Sequence, residues 1–342
     1  MAQRDGGVGR RVVLTAAVVA AISPATGCGI RLEDDAPRVP LVPTRTPLAA
    51  EDALVALTRD CLALASAAEG LPGELGAELA ALHRRQHTVL RTTLVRRQVP
   101  PADLDAGPSP TGSASGTPSG SGTPAGSATP TASPSSERSP SAAPSPSSSP
   151  DPQETRTALA AAEAAAAAAA GTLAGVDADL RATVAALHAQ RYAAATLLAG
   201  RPPDVPADPV TGEAVVGLVA RTEAATWFLE VVVARSAGAQ RQRADVSLAA
   251  LRALRGDLVA GGSRAEAAIG HPLPFPVATA ADAARLAREV LTTLRTDLGA
   301  VLDPLVSAHG ALGLAAATRW LGTVEVEAHR WGVDLAPFPG LA

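Results

Sequence analysis

The residues able to do chemistry in this 342-residue chain are few, and they fall on stretches that read as helices. His83 and His87 stand four positions apart, a spacing that turns two imidazoles to one side of a helix and can offer two ligands to one metal ion. His188 holds a matching place further on: Ala81-Leu82-His83-Arg84-Arg85-Gln86-His87 parallels Ala186-Leu187-His188-Ala189-Gln190-Arg191-Tyr192. Three imidazoles could thus converge on one metal, although a helix seam lined by imidazoles bonded to neighbours or water explains the pattern more economically. Glu325, Glu327 and His329 crowd a second helix, where Glu325 and His329 make an ordinary i, i+4 pair and a solvated polar face is expected. Glu223, Trp227 and Glu230 share a third face, read as a core tryptophan with acids at its edge rather than as a buried carboxylate pair. Cys61 lies on the apolar stripe Leu54, Leu57, Cys61, Leu64, Ala68 and reads as a buried structural thiol.

What is missing narrows the field. The chain contains no lysine, so neither a phosphate-loop lysine nor a Schiff base is available. There is no Gly-x-Ser-x-Gly elbow and no Cys-x-x-Cys pair. The run Gly120-Ser121-Gly122-Thr123-Pro124-Ala125-Gly126 has neither a preceding strand nor a following helix, so it is not a dinucleotide site. A net charge of −4 gives no global basic footprint for nucleic acid. No reaction and no cofactor is identified, and a non-enzymatic role is favoured.

The first residues carry an address. Arg4, Arg10 and Arg11 give a positive start, Val12 to Ile22 is uncharged and apolar, and Ala25-Thr26-Gly27-Cys28-Gly29 supplies small residues before a cysteine. This order predicts a signal over residues 1–27, with twin-arginine character at Arg10 and Arg11, and lipidation of Cys28. Ala25 stands where leucine is preferred in a lipobox, so secretion without a lipid is the alternative. The expected location is the outer face of the cytoplasmic membrane, with residues 28–47 as a tether. With Cys28 modified, Cys61 has no disulfide partner.

The rest of the chain supplies the elements that would position these groups. Residues 99–153 are Pro, Ser, Thr, Gly and Ala with almost no large apolar side chain, and they predict a disordered linker. Elsewhere apolar residues recur at helical spacing and strand alternation is missing. Helices are expected near 49–68, 74–97, 154–174, 177–199, 212–236, 238–260, 279–306 and 311–331, with Gly and Pro at the breaks. Short connections make these four antiparallel hairpins. Because one hairpin cannot bury its apolar stripe alone, the expected fold is all-α with two antiparallel four-helix bundles. The hairpins at 48–98 and 154–200 form the first bundle, and residues 211–342 form the second.

The C-terminal third carries Leu218-Val219-Ala220-Arg221-Thr222-Glu223-Ala224-Ala225-Thr226-Trp227, then Leu273-Pro274-Phe275-Pro276-Val277, a helix through Ala284-Arg285-Leu286-Ala287-Arg288-Glu289, and a terminal Phe338-Pro339-Gly340-Leu341. In these features residues 211–342 resemble the actinobacterial ferritin-like domain family of unknown function. The opening Gly29-Ile30-Arg31-Leu32-Glu33-Asp34-Asp35-Ala36-Pro37 is similar to that of uncharacterised actinobacterial lipoproteins. The resemblance implies a four-helix bundle and brings no established activity. Family members often have Glu followed by His on the first helix, whereas Glu223 is followed by Ala224. Residues 154–199 also resemble the first hairpin of such a domain, so the hairpins could pair differently. Di-iron chemistry in a bundle needs two Glu-x-x-His motifs. None of the six histidines has an acid three positions before it: Ala80, Arg84, Ala185, Ala268, Val306 and Val326 stand there. The expectation is therefore a lipid-anchored helical binding or interaction module with a possible envelope protein partner. A metal- or small-ligand-binding bundle with a degenerate di-iron site is the alternative. Oligomeric state and partner are not legible.

Overall fold

The computed structural model describes residues 45–105, 151–264, 266 and 270–341. Arg10, Arg11, Cys28, the expected signal and residues 106–150 of the expected linker lie outside the described residues. Among the described residues all regular structure is helical, as composition and periodicity indicate.

Helix α1 (Glu51–Glu69) and α2 (Glu74–Arg96) form the first hairpin. The start of α1 is secured by Glu51, whose carboxylate accepts from Arg45 Nη1 at 2.5 Å and from the Leu48 amide at 2.8 Å. The short α3 (Pro101–Asp105) corrects the expectation of disorder from residue 99 onward. Val99 and Leu104 are fully buried, and Arg59 and Arg91 hold the carbonyl of Asp103 and the carboxylate of Asp105, so two apolar anchors suffice to order this turn.

Helix α4 (Pro152–Ala168) begins with Asp151 accepting from the Gln153 amide and with proline in the first turn, where its missing N–H costs nothing. It runs through a 3₁₀ turn at Ala169–Leu173 into α5 (Ala178–Ala199), which ends on Gly200 at φ 73°. Then come α6 (Glu213–Ala234), α7 (Gly238–Ala260), α8 (Ala280–Ala300) and α9 (Leu302–Arg330). A capping box of Thr279 and Asp282 starts α8. The expected 279–306 helix instead breaks at Val301, with a bend of 68° between α8 and α9. Gly310, expected as a break, is a kink inside α9, at φ 55° and ψ −126°.

The C-terminal helices close a ring in which α6 contacts α7 and α8, and α9 contacts α7 and α8. The N-terminal hairpins meet through α1 and α4. The most extensive contact in the molecule, however, is α5 against α9, and residues from Arg45 onward form one compact unit. The two expected bundles are thus fused along that seam. Every residue from Val184 to Thr196 on α5 is buried, which is what a helix enclosed on all sides requires. Alanines 185, 186, 189, 193, 194 and 195 let neighbouring backbones come close. Gly322 of α9 completes the fit: a Cβ there would lie 2.6 Å from the Tyr192 ring and 2.8 Å from the Ala189 carbonyl oxygen.

The C-terminal segment folds back against α2, α8 and α9. The amides of Leu335 and Ala336 donate to Glu78 and Glu325, and Gly340 packs against the backbone of Gly299. Among the described residues no single helix is long and apolar enough to cross a membrane.

Candidate functional site

The interior of the N-terminal half holds a polar cluster drawn from four helices. Cys61 comes from α1, His83 and Gln86 from α2, Glu163 from α4, and His188, Gln190 and Arg191 from α5; none exceeds 2% exposure. The repeat seen in the sequence has a constant offset, since Gly70 and Gly175 stand as far apart as His83 and His188. It therefore brings both histidines into one interior.

Hydrogen-bond accounting fixes the arrangement. Gln86 Nε2 donates to Gln190 Oε1 at 2.9 Å and to the Pro337 carbonyl at 2.8 Å. Both partners are acceptors, so the amide nitrogen faces them and Gln86 Oε1 faces His83 Nδ1, 3.0 Å away. His83 Nδ1 then carries a proton. His83 Nε2 lies 2.6 Å from Glu163 Oε1, with both side chains fully buried. Imidazole and carboxyl group thus lie side by side as a fully buried pair.

Arg191 Nη2 donates to Cys61 Sγ at 3.3 Å, while its Nε and Nη1 have no protein partner. Burial pushes the Cys61 thiol up, and the adjacent guanidinium opposes that shift. His188 Nδ1 donates to the Ala166 carbonyl at 3.0 Å, and burial, with Arg191 nearby, holds its pKa down at about 3. His188 is thus a neutral imidazole. His87 is only half-buried and takes no part in the cluster, its pKa lowered chiefly by burial. Of the three imidazoles considered as a metal set, two reach the interior, and each is held by its own partner. Among the described residues no three His, Cys, Asp or Glu side chains are grouped to hold a metal ion.

The expected polar face on α9 is corrected. Glu325 and Glu327 are buried, at 0% and 2% exposure, because the returning C-terminal segment and α7 cover them. Glu325 accepts from Arg295 at 3.1 Å and from the Ala336 amide at 2.6 Å. Glu327 accepts from Ser247 at 2.7 Å and from Arg330 at 2.5 Å. Burial pushes both carboxyl groups up, and these partners oppose it. Trp227, read as a core anchor, is instead half-buried on the surface, and the flanking Glu223 and Glu230 pair with Arg255 and Arg252 of α7.

Sequence reasoning missed Glu163, Gln190 and Arg191 as cluster members. A signal existed for Glu163: it is the lone charged residue between Arg156 and Asp177, in a helix otherwise almost all alanine. The cluster is closed to solvent and knits helices together, so it has the character of a buried structural network in an all-α protein. Residues 214–342 match the family described as Domain of unknown function (DUF4439). No curated protein and no solved structure matches the chain.

Two outcomes follow from this geometry. His83→Leu and Glu163→Leu, each leaving a buried partner unsatisfied, should cost about 1–3 kcal/mol in urea unfolding, with the double variant costing clearly less than their sum. Between pH 6.5 and about 3 the unfolded chain binds a proton at His188 that the folded protein refuses, so stability falls as pH falls through that window. The buried Glu325 and Glu327 act in the opposite sense. Unfolding free energies of the wild type and His188→Gln, measured from pH 7 to 4, should therefore differ by a slope of up to about 1.4 kcal/mol per pH unit, the wild type being the steeper.

Proposed function

We propose that this protein is an exported, lipid-anchored helical module that binds a component of the cell envelope without transforming it. The observation that carries this reading is the closure of the polar cluster drawn from α1, α2, α4 and α5 among the described residues. His83, Glu163, Gln86, Gln190 and Arg191 are all at 0% exposure, so no substrate can meet them while the helices stay packed. A buried polar network of this kind specifies a unique packing and leaves the outer faces free for recognition. The sequence supports the address: Arg10 and Arg11 precede an apolar stretch, and Cys28 follows small residues. The ring of α6, α7, α8 and α9 supports descent from a ferritin-like bundle whose ligand set has been replaced by structural pairs.

The test is crosslinking of the full-length protein in intact cells, followed by recovery from the membrane fraction, with Cys28→Ala as the anchoring control. The expected outcome is membrane association lost in Cys28→Ala and one or a few specific crosslinked species. A protein that stays in the membrane with no crosslinked species would refute the binding role. Retention of Cys28→Ala in the membrane would refute the anchor.

A further inference from the structure

Aromatic residues are scarce in this chain, 2% of the total, and two of its three tryptophans, Trp320 and Trp331, are buried. Trp227 is the exception, at the floor of a groove of about 530 Å³ between α6 and α7. Phe228 and His271 meet it edge-on, with ring centroids 5.2 and 5.8 Å away and interplanar angles of 78° and 65°, which fixes the plane of the indole.

The groove is framed by two ion pairs at opposite ends. On α6, Glu223, Trp227 and Glu230 recur at helical spacing along one face. On the antiparallel α7, Arg255 bonds Glu223 Oε1 through Nε and Nη2 at 2.9 and 2.7 Å, and Arg252 Nη2 bonds Glu230 Oε1 at 2.8 Å. The two glutamates stand seven positions apart, about 10 Å along α6, with Trp227 between them, while their arginine partners stand three positions apart, about 4.5 Å along α7. All four charged side chains are partly exposed, and these bonds leave the second carboxylate oxygen of each glutamate and an N–H group of each arginine available to a ligand.

This chemistry is selective. Two carboxylates and two guanidiniums balance, so a strongly charged ligand gains no net attraction. An acceptor beside a donor at each end suits adjacent hydroxyl groups, and the indole between them suits an apolar C–H face. We infer that this groove is a binding site for an uncharged saccharide of about two rings, its rings lying on Trp227 and its hydroxyl pairs held by Glu223–Arg255 and Glu230–Arg252. The inference rests on the binding reading above and names the ligand class for it.

The experiment is titration of the purified full-length protein with a panel of neutral disaccharides (cellobiose, maltose and N,N′-diacetylchitobiose), followed by tryptophan emission and by calorimetry. At least one sugar should bind saturably. Trp227→Ala should weaken that binding roughly tenfold or more, and Glu223→Gln or Arg252→Met roughly fivefold, with unfolding midpoints close to wild type. Because Trp227 is only half-buried, its replacement should leave the fold intact, and circular dichroism checks this. Absence of saturable binding across the panel, or binding unchanged in both Trp227→Ala and Arg252→Met, would overturn the site. If a crosslinked envelope protein is nonetheless recovered, only the saccharide assignment falls; if neither is found, the binding reading falls as well.

Discussion

The close approach of α5 to α9 is the constraint on which the other features depend. Two helix backbones come this near only where side chains are small: α5 brings its alanines, and on α9 Ala315 clusters with Tyr192 while Gly322 sits against Tyr192 and Ala189. Because Gly322 sits against the Ala189 carbonyl, no side chain larger than hydrogen fits there without displacing backbone. Alanine abundance in this chain is therefore used structurally, whatever its origin. The seam makes α5 an interior helix, and an interior helix must satisfy whatever polar groups it carries. His188, Gln190 and Arg191 all lie on it.

The buried network answers that requirement unequally. Gln86 and Gln190 are joined directly, and His83 is held between Gln86 and Glu163. Arg191 finds only the Cys61 sulfur among protein atoms. Burying charge in this way adds little net stability compared with an apolar core and acts instead on the choice of packing. The C-terminal segment is drawn into the same scheme: Gln86 donates to the Pro337 carbonyl and Glu78 accepts from the Leu335 amide, so α2 is tied to the far end of the chain. With these polar groups committed inward, Trp227 and its flanking ion pairs are a distinctive grouping on the outer faces.

Much of the architecture was legible from periodicity. Glycine and proline placed most helix ends within a few residues, because those residues act locally. The fusion of the bundles was not legible, since an alanine-rich face is equally compatible with solvent and with a tight seam. For the same reason Glu325 and Glu327 read as exposed: what covers them is Ser247 from α7 and a tail returning from beyond Trp331, contacts invisible to helical spacing. The His83–His188 correspondence was visible in the repeat, but their partners were not. Glu163 and Ala166 lie on a helix with no pattern except alanine, so their facing could not be read. The break at Val301 did have a local signal: Pro304 has no N–H to donate to the Ala300 carbonyl, and its ring clashes there, so one helix cannot run straight through 279–306.

The seam makes a direct demand on folding: both halves should unfold together. All three tryptophans, Trp227, Trp320 and Trp331, report on the C-terminal helices, whereas amide hydrogen exchange in α1, α2 and α4 reports on the N-terminal half. Urea unfolding followed by both probes on the same sample tests whether α5 and α9 unite them. The predicted result is one shared midpoint and slope. Two separated midpoints, with the tryptophan signal and the exchange of α1, α2 and α4 melting independently, would contradict the account.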